Sequence, residues 1–429
     1  MNYSEKDVIS FVKENDVKFI RLAFVDLCGN LKNMAIMPSE LPTALKRGVP
    51  LDASAFYGKN DCTHSDIFLV PDTSTLSVLP WRPKAGRVVR FFCDLKNLDG
   101  TQFEGDTRAR LKNTAELLRS EGYTCSIGTE CQFYLFELDE SGNPTHTTND
   151  YAGYLDVAPR DHGENIRREI CLSIDEMDIH PETSRHLYGH GQNEITFKYS
   201  DAVSAADNLI NFKTAVKSIA SQNGLYASFM PYPLRDQPRS ALLINISINH
   251  NNKNIFEVAD GNISKEGQYF IAGVLKRIRE ITAFLNPLTN SYFRNGEVPE
   301  PGHVNWAKES RAYLIRIPDS RTGSGRIELR SPDPSCNLYI ALNLLLLAGL
   351  EGINEKAELK EFNSPDDGEP LPESLSEAIK IMSESKFVKN VFSGYAYENI
   401  INQLGMDLKS YENADDKGKI EDELYFRYI

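Results

Sequence analysis

The chain has 429 residues, 41% of them hydrophobic and 25% charged, which is enough for two domains with a substantial core and is not the composition of a disordered chain. A formal net charge of −14 supplies no basic patch, which excludes nucleic acid and an anionic membrane surface as expected partners. Residues 1–16 alternate charged and apolar side chains instead of forming the apolar run of a signal peptide. The longest apolar run, 340–350, contains Asn343 and is shorter than the roughly 20 residues a membrane span needs. A cytoplasmic protein is expected.

In chain order, residues 1–97 read as a small α+β domain. Strands are predicted over 17–30 and 33–37, with Gly29-Asn30 turning between them, followed by a proline-punctuated stretch over 66–81. Asn97-Leu98-Asp99-Gly100-Thr101 is a turn-rich boundary, and a larger domain is expected over 105–429. There the apolar periodicity predicts helices over 107–120, 164–177, 202–223, 265–284 and 338–352, with short alternating strands between them. Seven cysteines, Cys28, Cys62, Cys93, Cys125, Cys131, Cys171 and Cys336, form no C-x-x-C pair and read as reduced thiols.

Three of the strands sort their side chains by the period of two. Glu130, Gln132 and Tyr134 share one face, and Cys131 points away from them. Leu242, Ile244, Ile246 and Ile248 make an apolar face, with Leu243, Asn245 and Ser247 opposite. Glu328 and Arg330 share a face, with Ile327 and Leu329 behind. A single polar face is as readily wet as functional, but three together, two bearing carboxylates, point to a shared site. Leu243 is the odd member: either the sheet is covered on both sides there, or a polar group has been replaced.

The segments Gly128-Thr129-Glu130-Cys131-Gln132-Phe133-Tyr134-Leu135-Phe136, Gly191-Gln192-Asn193-Glu194, Asn290-Ser291-Tyr292 and Arg326-Ile327-Glu328-Leu329-Arg330-Ser331-Pro332-Asp333-Pro334 carry a family resemblance. With Asp52-Ala53-Ser54-Ala55, Leu79-Pro80-Trp81, Ser228-Phe229-Met230-Pro231 and Ile315-Arg316-Ile317-Pro318, the chain resembles a type I glutamine synthetase nearly end to end. The resemblance implies an α+β protein: a β-grasp-like domain over 1–97, then a catalytic domain whose antiparallel sheet forms a funnel flanked by helices. It implies ATP at one end of the funnel, glutamate at the other and two divalent cations, Mg²⁺ or Mn²⁺, at the waist. It also implies a homo-oligomer, a dodecamer of two hexameric rings, with each site closed by a neighbour's first domain.

Residue by residue, the resemblance assigns Glu130 and Glu328 to the cation that bridges the nucleotide phosphates and Glu194 to the second cation. The remaining ligand positions fall on Leu243, Gln132 and Leu187, so at most one cation site is expected. Gln132 still offers a neutral carbonyl oxygen. Asp52 matches the residue that helps deprotonate ammonium, Glu300 the glutamate guarding the intermediate (with Glu297 as the other candidate), and Arg311 a phosphate-facing arginine. Arg294 and Arg330 match glutamate-binding arginines; Glu182, Asn245, Ser247, Arg311 and Arg316 fall at the nucleotide. Each arginine can instead be a structural partner of a carboxylate.

Other positions depart from the pattern. Arg185-His186-Leu187 stands for His-His-Glu, Tyr232 and Phe293 stand for lysines, and Arg239 replaces a glycine, so it is expected to project over the amino-acid pocket. Two readings follow. The chain is an impaired or non-catalytic relative that binds a nucleotide or amino acid, or partners an active homologue; or it is an ATP-dependent carboxylate–amine ligase with a reduced metal set, in which Arg239 or Arg185 supplies the missing positive charge.

Overall fold

The computed structural model describes residues 3–52, 66–82, 85–257, 263–293, 300–319, 325–392 and 394–429. In the first domain, strands β1 (Val17–Val25), β2 (Leu31–Ile36), β3 (Val49–Leu51), β4 (Ile67–Pro71), β5 (Ser77–Val78) and β6 (Arg87–Lys96) form a six-stranded sheet ordered β2-β1-β6-β4-β3, with β5 on β6. β1 and β6 run parallel at its centre. Alternation divides their side chains between two cores. Ile20, Leu22, Val89 and Phe91 pack in the small domain, whereas Ala23, Val25 and Phe92 join the main core, which fastens the two domains together.

The second sheet has ten strands: β7 (Tyr123–Leu138), β8 (Pro144–Thr148), β9 (Pro181–His186), β10 (Gln192–Phe197), β11 (Leu225–Ser228), β12 (Leu242–His250), β13 (Lys253–Asn254), β14 (Trp306–Lys308), β15 (Ile315–Ile317) and β16 (Ile327–Leu329). The path is β14-β15-β16-β12-β7-β10-β9, antiparallel except between β14 and β15. Its odd β7 residues, Cys131, Phe133 and Leu135, and even β12 residues, Leu242, Ile244, Ile246 and Ile248, lie in the main core.

The five expected helices form over Thr107–Ser120, Glu164–Asp175, Ala202–Gln222, Lys265–Leu285 and Leu338–Glu355. The last extends beyond the apolar run of 340–350 at both ends. It is 18 residues long and apolar enough to cross a membrane by length and composition, yet 72% of it is buried inside the molecule, so the core accounts for its character. It crosses Lys265–Leu285 where a Cβ on Gly273 would come within 2.2 Å of the Ala348 carbonyl oxygen; glycine permits that approach. Helices that the periodicity did not single out occupy Glu5–Glu14, Leu41–Arg47, Leu375–Glu384, Lys386–Val391, Gly394–Asn413 and Lys417–Glu421. The first carried a readable signal, since Ser4 and Asp7 form a capping box. The six described cysteines are free thiols, and Cys62 lies outside the described residues.

Candidate active site

Register assembles the site on the sheet face opposite the core. One row runs Arg316 on β15, Glu328 on β16, Asn245 on β12 and Gly128 on β7. The next runs Leu243 on β12, Glu130 on β7 and Thr196 on β10. The third runs Gln132 on β7, Glu194 on β10 and Arg185 on β9. Directly opposed side chains in such pairs stand about 5 Å apart at Cβ, so pairing alone gathers Glu130, Glu194 and Glu328. Leu243 is buried on this face and is not a member of the main core cluster. The space over Gly128 is filled by Tyr199, whose ring would lie 2.5 Å from a Cβ there.

Every carboxylate on this face already has a cationic or amide partner. Arg316 Nη1 lies 3.1 Å from one Glu328 oxygen, and Arg330 Nη1 contacts the other. Arg185 Nη2 contacts Glu194 Oε1 and stands 3.8 Å from Glu130 Oε2. Asn245 Nδ2 donates to Glu130 Oε1 at 3.1 Å. Burial pushes the Glu130 carboxyl up, and the neighbouring Glu194 and Glu328 push it further. Gln132 corrects one expectation. Its Oε1 accepts from the Ala241 N–H at 2.8 Å and its Nε2 donates to Glu194 Oε2 at 3.0 Å, so the amide presents no oxygen beside Glu194. Leu187 is buried and offers no donor atom from its side chain. As arranged, the residues around Glu194 do not fit a hard divalent cation, which needs charged or neutral oxygens that are free to coordinate.

Comparison with known proteins decides the family. Residues 16–98 match the glutamine synthetase beta-Grasp domain and residues 104–422 the glutamine synthetase catalytic domain. The chain belongs to the glutamine synthetase family. It is 42% identical over 414 residues to a glutamine synthetase of Clostridium saccharobutylicum, covering 93% of this chain and 94% of that one. It is 40% identical to a glutamine synthetase of Methanosarcina mazei over 424 residues, 95% of each chain. Among solved structures, ligand-free GmaS superposes with a TM-score of 0.87 at 25% identity, over 96% of this chain and 98% of that one. A Plasmodium falciparum glutamine synthetase shares the fold, with a TM-score of 0.86 at 24% identity over 99% of each chain.

The other residues implied by the glutamine synthetase resemblance divide. Arg330 and Arg316, matched to glutamate and to nucleotide phosphate, are here partners of Glu328. Ser247 donates to the Gly325 carbonyl at 2.8 Å, a structural tie. Arg239 is buried: Nη2 donates to the Arg330, Ser331 and Pro332 carbonyls at 3.1–3.3 Å, and Nη1 lies 3.4 Å from Glu300 Oε2. Tyr232, itself buried, bonds the other Glu300 oxygen through its hydroxyl. Glu182 is exposed on β9, Arg311 is exposed in the turn after β14, and Asp52 is exposed at the end of β3 in the first domain. Arg294 and Glu297 lie outside the described residues.

Beneath β9 lies a cluster that the sequence did not reveal. Asp150, Asp161 and His186 present ligand atoms within 4.8 Å of one another, the one such grouping among the described residues. Its members are paired with one another and with Arg167. Arg167 Nη2 lies 2.6 Å from Asp161 Oδ2, and the His186 ring stands with Nε2 3.0 Å from Asp150 Oδ1 and Nδ1 2.8 Å from the Leu187 carbonyl. Burial opposes a charge on the ring, but Asp150 and the Leu187 carbonyl outweigh it and lift the imidazole above its ordinary range. The cluster is a buttress that fixes Leu187 and the β9–β10 hairpin.

Proposed function

We propose that this glutamine synthetase-family protein binds a nucleotide or amino acid on the retained scaffold without carrying out two-metal, ATP-dependent ligation of glutamate and ammonia. The observation that carries this reading is Gln132: where an anionic oxygen would have to stand beside Glu194, an amide N–H donates to Glu194 instead. Leu187 and Leu243 remove two further donors. Loss of one preorganised electrostatic group typically costs about 10²–10³ in turnover, so three altered positions suffice to abolish it. In a coupled ADP-release assay scanned over amino acids and amines with Mg²⁺ and Mn²⁺, no substrate-dependent release above background is expected. Glutamine formation by the parent protein, lost in Glu328→Ala, would overturn the reading. It would establish instead an ATP-dependent carboxylate–amine ligase working from Glu130 and Glu328, a reading favoured by the relatives named glutamine synthetase.

A homo-oligomer, a dodecamer of two hexameric rings with Asp52 reaching a neighbour's site, is part of the same proposal, as is co-assembly with an active homologue. An exposed apolar ledge beside the β9–β10 hairpin supports it. The rings of Tyr154 and Tyr188 stack at 4.4 Å, Tyr151 stands edge-on to His190, and Leu155 and Val157 are exposed in the same loop. Light scattering at micromolar concentration is expected to give a mass many times that of one chain. A mass near 48.3 kDa would remove the oligomer.

A further inference from the structure

The carboxylates of the sheet face are balanced from within the chain. Three of them, Glu130, Glu194 and Glu328, have three guanidiniums within 4.0 Å, those of Arg185, Arg316 and Arg330, which leaves the cluster with a formal charge of zero. Arg326 donates from Nε to Asn245 Oδ1 at 3.3 Å at the edge of the cluster. Among the described residues, a divalent cation entering this face would find Glu130, Glu194 and Glu328 already compensated. It would have to displace an arginine from a buried carboxylate, and Glu194 is only 2% exposed.

Arg185 is the decisive member. The β9–β10 register sets it opposite Glu194, and its Nη2 reaches both Glu194 and Glu130, the one residue to bridge them among the described residues. A guanidinium cannot lose its proton at physiological pH, so its charge in this gap is permanent. Its side chain is one-third exposed, and its Nε–H is buried without a hydrogen-bond partner, as is that of Arg330. An anion seated on this face would meet these guanidiniums, whose planar donors suit phosphate and carboxylate oxygens.

We propose that Arg185 is a built-in cation standing in the gap between Glu130 and Glu194, so that the site binds a polyphosphate nucleotide without a divalent metal. The proposal rests on the reading of this face as a nucleotide site.

The test uses the full-length protein with two probes, Mn²⁺ followed by electron paramagnetic resonance and ATP followed by calorimetry. The parent is expected to leave Mn²⁺ free in solution and to bind ATP with affinities that agree within about threefold in EDTA and in Mg²⁺. Arg185→Ala uncovers Glu194 and Glu130 and is expected to acquire Mn²⁺ binding. Arg185→Lys keeps a cation in the gap and is expected to stay Mn²⁺-free; it decides the point if the alanine variant does not fold. One Mn²⁺ bound per parent chain would overturn the inference. So would ATP binding that is absent in EDTA or at least about tenfold weaker there. ATP binding that requires Mg²⁺ leaves the binder reading intact and removes only the role of Arg185, whereas glutamate-dependent ADP release removes the binder reading whatever the Mn²⁺ result.

Discussion

Replacing Arg108 with alanine is expected to lower the folding stability by roughly 3–5 kcal/mol, because it leaves the buried Asp207 carboxylate without its counter-charge. Arg108 lies in the helix Thr107–Ser120 at the junction of the two domains. It pairs bidentately with Asp207, with Nε–Oδ1 and Nη2–Oδ2 both at 2.9 Å, and its Nη1 reaches Asp72 at 3.0 Å and Asp94 at 3.2 Å. Tyr339 also donates to Asp207, at 2.5 Å. Asp72 and Asp94 belong to the first domain and Asp207 to the second, so one guanidinium holds both. Chemical denaturation checks the loss. Lys112 contacts Asp72 and Asp94 from a more exposed position, and Lys112→Ala should cost less than about 1 kcal/mol.

The same network has a pH signature. Burial raises the Asp72 carboxyl, but Arg108 and Lys112 outweigh it and hold the group well below its ordinary value of 3.8. A carboxyl whose pKa is depressed by folding contributes stability that is complete above the unfolded value and is lost as pH falls through the folded one. The part of the gap between parent and Arg108→Ala that Asp72 carries should therefore persist from neutral pH down to about pH 4 and be lost below it. An unchanged denaturation midpoint in Arg108→Ala would count against the clasp.

The second large effect concerns cation binding. The fourfold variant Gln132→Glu, Leu187→Glu, Leu243→His, Arg239→Gly rebuilds the carboxylates and imidazole that the resemblance implies and reopens the turn at 239. It leaves Arg185 seated against Glu194, where the guanidinium competes with any incoming ion. Adding Arg185→His should strengthen Mn²⁺ binding at least about tenfold over the fourfold variant, since it removes a fixed charge from the gap while keeping a nitrogen donor. Calorimetric titration with Mn²⁺, alongside circular dichroism to confirm folding, measures the difference. Equal affinities in the two variants would show that Arg185 yields to a cation without resistance.

What the sequence determined by itself was the content of each local element. The period of two placed Glu130 and Gln132 on one face of β7 and separated Leu243, Asn245 and Ser247 from the Ile244 side of β12, because strand geometry sorts side chains without reference to anything distant. The period of 3.6 found the five helices that pack against the main core, and the ordered motifs carried the family. The ion pairs were decided only by the tertiary structure. That Arg185 meets Glu194 follows from the β9–β10 register, and that Arg316 and Arg330 close on Glu328 follows from the pairing of β15 with β16. Gln132 makes the same point at one bond: its amide is turned by the Ala241 N–H, 109 residues away in the chain. A motif specifies which atoms a position carries, but the direction in which an amide or a guanidinium spends its donors depends on acceptors that only the folded sheet brings within 3 Å or so of them.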